Sequence, residues 1–195
     1  MKKISILSLS TLTFLFLACS GGKTEKVEQE AGHDHETTQP ATTAKAKSPA
    51  TETMANIGDT HVHIAYHAPS VRGRQIFGGL VAYNEVWVTG AHSATSIQFY
   101  GDVALNGNRV AKGKYALFTI PGEDEWTIII NENFDQHLAD DYNPDLDVVR
   151  LTVKPEKRSE IQEQLLYKVK PTDDKEGVIS ISWADVKVSF NVREL

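Results

Sequence analysis

The chain has 195 residues, 41% hydrophobic and 24% charged, and 26 acidic against 20 basic side chains leave a formal net charge of −6. Its Lys and Arg are scattered and form no stripe, so phosphate backbones and anionic lipid repel it; nucleic acid is excluded as a partner, and so is electrostatic adsorption to a membrane. With a single cysteine there is no intrachain disulfide, and the folded part must be held by its own core.

That cysteine is Cys19, directly behind an apolar run from Ile4 to Ala18 that Lys2 and Lys3 precede. The run is short for a bilayer span, and Leu17-Ala18 supplies the small-residue approach to a cleavage site. Residues 1–18 are therefore expected to be a lipoprotein signal peptide, with Cys19 as the lipid-modified (palmitate-type acyl) first residue of the mature chain. An ordinary signal peptide asks for no cysteine there. Loss of Lys2 and Lys3 takes the formal charge from −6 to −8, so attachment rests on acyl chains alone. Residue 20 is Ser and no acidic cluster follows at once, which points to a bacterial envelope location at the outer membrane, facing the periplasm.

Residues 19–56 are expected to form a disordered tether. From Ser20 to Asn56 there is no aromatic residue, and Thr, Ala, Lys and Glu dominate, with too little apolar surface to offset chain entropy. A flexible chain of that length has a root-mean-square reach on the order of 35 Å. His33-Asp34-His35-Glu36 lies inside it and could catch a metal ion loosely, although a hydrophilic linker with two histidines needs no such role.

Residues 57–195 read as one all-β domain, an antiparallel β-sandwich of about ten short strands. Strands are expected over 60–66, 95–100, 103–105, 109–110, 114–120, 126–131, 148–154, 165–169, 178–183 and 186–192. Asn106-Gly107 marks a tight hairpin, Pro121-Gly122 a stop, and the 173–177 segment a solvated loop. Short helices are expected only at 156–164 and 134–140.

Within this domain, Pro69-Ser70-Val71-Arg72-Gly73-Arg74-Gln75-Ile76-Phe77-Gly78-Gly79-Leu80-Val81, Val86-Trp87-Val88-Thr89-Gly90-Ala91, Gly113-Lys114-Tyr115-Ala116-Leu117-Phe118-Thr119-Ile120-Pro121-Gly122 and Glu125-Trp126-Thr127 follow one another. In that order they closely resemble the bacterial family known as domain of unknown function 2911, over most of residues 60–155. The resemblance implies an exported, often lipid-anchored β-rich domain and carries over no catalytic residues. The family pattern commonly has Arg where this chain has Val88, Asn where it has His92, and an aromatic near His137.

The most suggestive chemistry is in Thr60-His61-Val62-His63-Ile64-Ala65-Tyr66-His67. Strand alternation sends Val62, Ile64 and Tyr66 to one face and His61, His63 and His67 to the other. Histidines at i and i+2 lie about 7 Å apart at the backbone, near enough to share an ion, whereas His67 is about 13 Å beyond His63. A third ligand would come more readily from His92 or His137, and a nitrogen-rich set with no thiolate suits Zn(II) or Cu(II) better than Cu(I). Against this, a polar stripe opposite the core is the ordinary wet face of an alternating strand.

Other motifs are weaker. Arg72 and Arg74 flank Gly73 and could clamp an anion, or pair with nearby carboxylates. Asp141-x-Asn143-x-Asp145-x-Asp147 alternates oxygen ligands, but Leu146 and Thr152 occupy the places of a calcium loop's turn glycine and closing glutamate. Trp87, Trp126 and Trp183 could stack a sugar, yet the last two lie in Ile- and Val-rich runs that read as core. No Gly-x-Ser-x-Gly elbow, His-Glu-x-x-His or phosphate-cradling loop occurs, so nothing favours an enzyme. The expected function is a membrane-anchored, non-enzymatic binding module with Zn or Cu as its most concrete ligand. The alternative is an interaction lipoprotein that docks an envelope protein or a glycan without metal.

Overall fold

The computed structural model describes residues 47–195. The expected signal peptide, Cys19 and the linker histidines His33 and His35 lie outside the described residues. The described residues form ten strands: β1 (Ala50–Ile57), β2 (Thr60–His67), β3 (Ser96–Phe99), β4 (Val103–Leu105), β5 (Asn108–Val110), β6 (Gly113–Ile120), β7 (Trp126–Asn131), β8 (Asp147–Val153), β9 (Glu156–Pro171) and β10 (Glu176–Glu194). A single 3-10 turn, Pro144–Leu146, precedes β8. Two antiparallel sheets result, a six-stranded one in the order β1-β2-β3-β6-β7-β8 and a four-stranded one in the order β5-β4-β10-β9. Among the described residues no helix is long and apolar enough to cross a membrane.

The strands alternate as a two-residue period demands. In β2, Val62, Ile64 and Tyr66 are buried while His61, His63, Ala65 and His67 are half-exposed on the other face. The main core fills the space between the sheets, with Ile97, Phe99, Leu117, Ile128 and Ile130 facing Leu165, Tyr167, Ile181, Val188 and Phe190. A second cluster sits on the opposite face of the six-stranded sheet, where Ala116, Phe118 and Ile129 are covered by Val88 and Ala94. That second cover explains why β6 and β7 read as continuous apolar runs, since both faces of these strands are buried.

Three expectations are corrected. Residues 50–56, assigned to the tether from composition, form β1, whose eight residues all pair with β2 through the two-residue turn Gly58-Asp59. Gly58 has φ 61, the positive value that such a tight hairpin requires at this place. The 156–164 segment is strand, because β10 pairs along one side (Lys187 with Glu156, Ala184 with Gln162) and the 69–71 loop binds the other through Val71 N to Glu163 O. The 134–140 segment is not helical either. Its backbone groups bond the 92–94 loop, and Leu138 at φ 50 leaves the helical region.

The two strands expected at 178–183 and 186–192 are one, β10, broken by register shifts around Ala184, which has φ 51. The bulge accounts for the interruption in the sequence pattern.

Candidate functional site

The motif Trp87-x-Thr89-Gly90 ties the structure together. Trp87 exchanges backbone hydrogen bonds with Thr119 of β6, and its indole N–H donates to Gly90 O at 3.3 Å. Thr89 is fully buried, its hydroxyl 3.0 Å from the Thr119 hydroxyl, and its carbonyl accepts from the Thr95 and Tyr167 hydroxyls at 3.1 and 2.8 Å. Tyr167 belongs to the four-stranded sheet, so this carbonyl links both layers. Burial holds the Tyr167 phenol well above the usual tyrosine range, which keeps it a neutral donor. A Cβ at Gly90 would lie 2.8 Å from Thr95 Oγ1, so the glycine is required for close approach.

From this anchor the chain loops out as His92-Ser93 and returns into β3. Ala94 N donates to Gln136 O and Leu138 N to His92 O at 2.7 Å, so residues 92–94 and 136–138 form one roof over the outer face of β6 and β7. Beside the roof the sheet is bare. Ala50, Ala65 and Ser96 are small neighbours on adjacent strands, and their shortness leaves a groove of about 680 Å³. His67, Ser93, Phe134 and Asp135 wall it, with Glu52 and Lys114 at its sides.

The five candidate histidines divide. His61 Nδ1 is 2.8 Å from Asn56 Oδ1, and its ring meets the Tyr100 ring edge-on. His63 Nε2 is 3.0 Å from Glu52 Oε2, and His137 Nδ1 is 3.2 Å from Asp140 Oδ2. His67 and His92 instead meet each other, with ring centres 5.1 Å apart at 85°, and among the described residues neither ring has a hydrogen-bond partner. Desolvation, with a smaller contribution from a charge on His92, lowers the pKa of His67, which favours its neutral, ligand-competent form. Two imidazoles on one tetrahedral ion, with metal–nitrogen bonds near 2.0 to 2.1 Å, have ring centres about 5 Å apart. The ring spacing is compatible with two ligands of one ion, and it is also that of an ordinary edge-to-face ring contact. Among the described residues, however, no three His, Cys, Asp or Glu gather into a metal-holding group, so the full set His61, His63, His67, His92 and His137 does not converge.

The remaining candidates have local partners. Arg74 donates to Ser70 O and Val71 O at 2.6 and 3.1 Å, and Arg72 reaches Lys47 O at 3.2 Å, so both guanidiniums brace backbone and form no common clamp. Asp147 accepts from Tyr142, Arg150 and Asn131 at 2.7 to 2.8 Å, while Asn143 caps the 3-10 turn, which leaves no calcium loop. Trp126 and Trp183 are buried, and Trp87 stacks on Trp183 at 5.6 Å and 19°. The aromatics are core and present no platform. The sequence reading missed the groove itself, for which the only sign was Ala50, Ala65 and Ser96 at polar-face positions.

No curated protein and no solved structure matches the chain. A family comparison matches residues 48–192 to the family described as protein of unknown function (DUF2911). That span takes in β1, which the sequence texture had assigned to the linker, and the family motifs between Pro69 and Thr127. The chain belongs to the DUF2911 family.

Proposed function

We propose that this chain is a non-enzymatic binding module, held at the bacterial envelope by a lipid on Cys19, whose ligand is a divalent metal ion, Zn(II) or Cu(II), at His67 and His92. The observation that carries the reading is the His67–His92 pair, with ring centres 5.1 Å apart and no competing hydrogen bonds among the described residues, of which His67 lines an open groove. Nitrogen ligands without thiolate suit these two ions.

The test is metal content and affinity of the purified protein after chelation and reloading. His67→Ala and His92→Asn each lose affinity by at least about tenfold, as removal of one of two protein ligands requires. His61→Ala/His63→Ala is the control and keeps the wild-type value. Equal metal content in wild type, His67→Ala and His92→Asn overturns the metal reading. Mass spectrometry of the N-terminal peptide tests the anchor separately: an unacylated Cys19 removes the membrane address.

A further inference from the structure

A second cavity, of about 440 Å³ and with no histidine in its lining, lies where β10 breaks step with β9. Lys157 pairs with Val186 and Gln162 with Ala184, so four residues of β9, 158–161, stand opposite the single Asp185. Ala184 is held there at φ 51, a value a side-chain-bearing residue keeps only where its surroundings impose it, and bulges of this kind are over-represented beside functional sites. Val71, Phe77, Ala184 and Val186 supply an apolar lining, and the Phe77 ring is fixed edge-on against Trp126 at 4.9 Å. Tyr83 adds a second aromatic wall. A Cβ on Gly78 would lie 2.8 Å from the Tyr83 ring, so this glycine, at φ 73, is what lets the tyrosine seat. The volume falls in the range of small-ligand sites, about 300–1,000 Å³.

Five charged side chains line the cavity, and they are not equally engaged. Glu156 is bonded to Lys187 at 3.1 Å and Asp185 faces Lys157 at 3.9 Å, so these two carboxylates have their own countercharges. Arg74 and Glu123 have no ion-pair partner among the described residues. The Arg74 guanidinium is nonetheless oriented, because Nε and Nη2 donate to Val71 O and Ser70 O at 3.1 and 2.6 Å, which fixes its plane and leaves three of its five N–H groups for a ligand. At the rim Ile161 is 61% exposed, apolar surface left in water beside the opening. A ligand with a carboxylate alone would face Glu123 uncompensated, and one with an amine alone would face Arg74. Only a ligand that carries both charges complements the pair.

We propose that this cavity binds a small zwitterion with an apolar side chain, a free α-amino acid or a short peptide with free termini. Its carboxylate takes the open N–H groups of Arg74, its ammonium faces Glu123, and its side chain lies on Phe77 and covers Ile161. Only non-covalent contacts form. The inference is independent of the metal reading, since this cavity and the groove beside His67 share no lining residue.

The experiment is calorimetric titration of the full-length protein in detergent with Leu-Leu, its C-terminal amide, N-acetyl-Leu-Leu, Gly-Gly and free leucine. Wild type binds Leu-Leu at least about threefold tighter than either blocked form, the scale of one partly exposed ion pair. It binds Gly-Gly at least about tenfold more weakly than Leu-Leu, for want of apolar burial. Arg74→Met binds Leu-Leu and the amide alike and keeps its preference over N-acetyl-Leu-Leu. Because Arg74 also braces its own loop, Glu123→Gln, at an exposed turn, is the second variant: it binds Leu-Leu and N-acetyl-Leu-Leu alike and keeps its preference over the amide. Free leucine as tight as Leu-Leu supports the amino acid as the ligand, and weaker leucine supports the peptide. No saturable binding of Leu-Leu up to about 10 mM, blocked forms or Gly-Gly that bind as tightly as Leu-Leu, or discrimination that survives unchanged in both variants overturns the inference.

Discussion

His92 holds its backbone at φ 65, in the left-handed region where Asn, Asp and His are the side-chain-bearing residues best tolerated. Asn at this place would meet the same backbone demand. This chain meets it with a residue that also carries an imidazole and sets it against His67. His92→Asn is thus expected to change stability by less than about 0.5 kcal/mol while removing the pair, whereas His92→Val costs about 1–2 kcal/mol from the left-handed penalty alone. Urea denaturation of the two variants checks both values. Thr89 is the sharper case, a β-branched residue at φ 54 that its neighbours over-determine. Thr89→Val keeps the strain and leaves the buried Thr119 hydroxyl without its 3.0 Å partner, so a loss of about 1–3 kcal/mol is expected in the same assay. Strand alternation alone placed His61, His63 and His67 on one face. It could not say which ring would find a partner, because His92 arrives from a loop whose path is fixed by hydrogen bonds to residues 136–138.

At the scale of elements, strands with one clear apolar face or with two buried faces were legible, β4 and β7 to the residue. β1 was not, because its polar and small residues make it look like linker, and what fixes it is register with β2 and the Gly58-Asp59 turn. The first half of β9 was misread as helix for a similar reason. Its charged residues carry no strand signal, and pairing with β10 decides its state. A local device holds the β4–β5 hairpin: Asp102 accepts from Lys112 N at 2.9 Å and from the Arg109 guanidinium at 2.6 Å. The Lys112 amide, then the Arg109 hydrogen bond, lowers the Asp102 pKa below its ordinary 3.8. A carboxylate with a depressed folded-state pKa contributes stability above its unfolded pKa and loses it as pH falls through the folded value. Asp102→Asn should therefore be less stable than wild type at pH 6. The gap should close progressively below about pH 4, read as urea midpoints of the two proteins across that range. A gap that stays constant down to pH 2 would show that the carboxylate's charge is immaterial.

Across the folded residues, the two faces of the six-stranded sheet have different duties. The inner face packs on the second sheet and carries the main core, and the outer face is divided between a roofed part over Phe118 and Ile129 and an open part along β1 to β3. The candidate site lies on that dividing line. His67 belongs to the sheet and His92 to the roof, so an ion shared by the two would fasten one to the other. Ligand that binds only the closed arrangement protects it by up to about 2.7 kcal/mol at a free concentration one hundred times Kd, equivalent to about a hundredfold slower exchange of any amide whose opening breaks the site. The amides that report this are Leu138 N–H and Ala94 N–H, bonded across the roof to His92 O and Gln136 O. Hydrogen exchange with and without Zn(II) should slow these two and also Ile128 and Ile130 in the main core, whose global opening breaks the site as well, and leave unchanged an amide that opens locally away from it, such as Glu176 N–H in the 172–176 turn. His92→Asn should abolish the effect while leaving the metal-free exchange pattern intact. Slowing of the core amides without slowing of Leu138 and Ala94 would instead mean that metal binds away from the roof, and no slowing at all would mean that the two rings meet without sharing an ion.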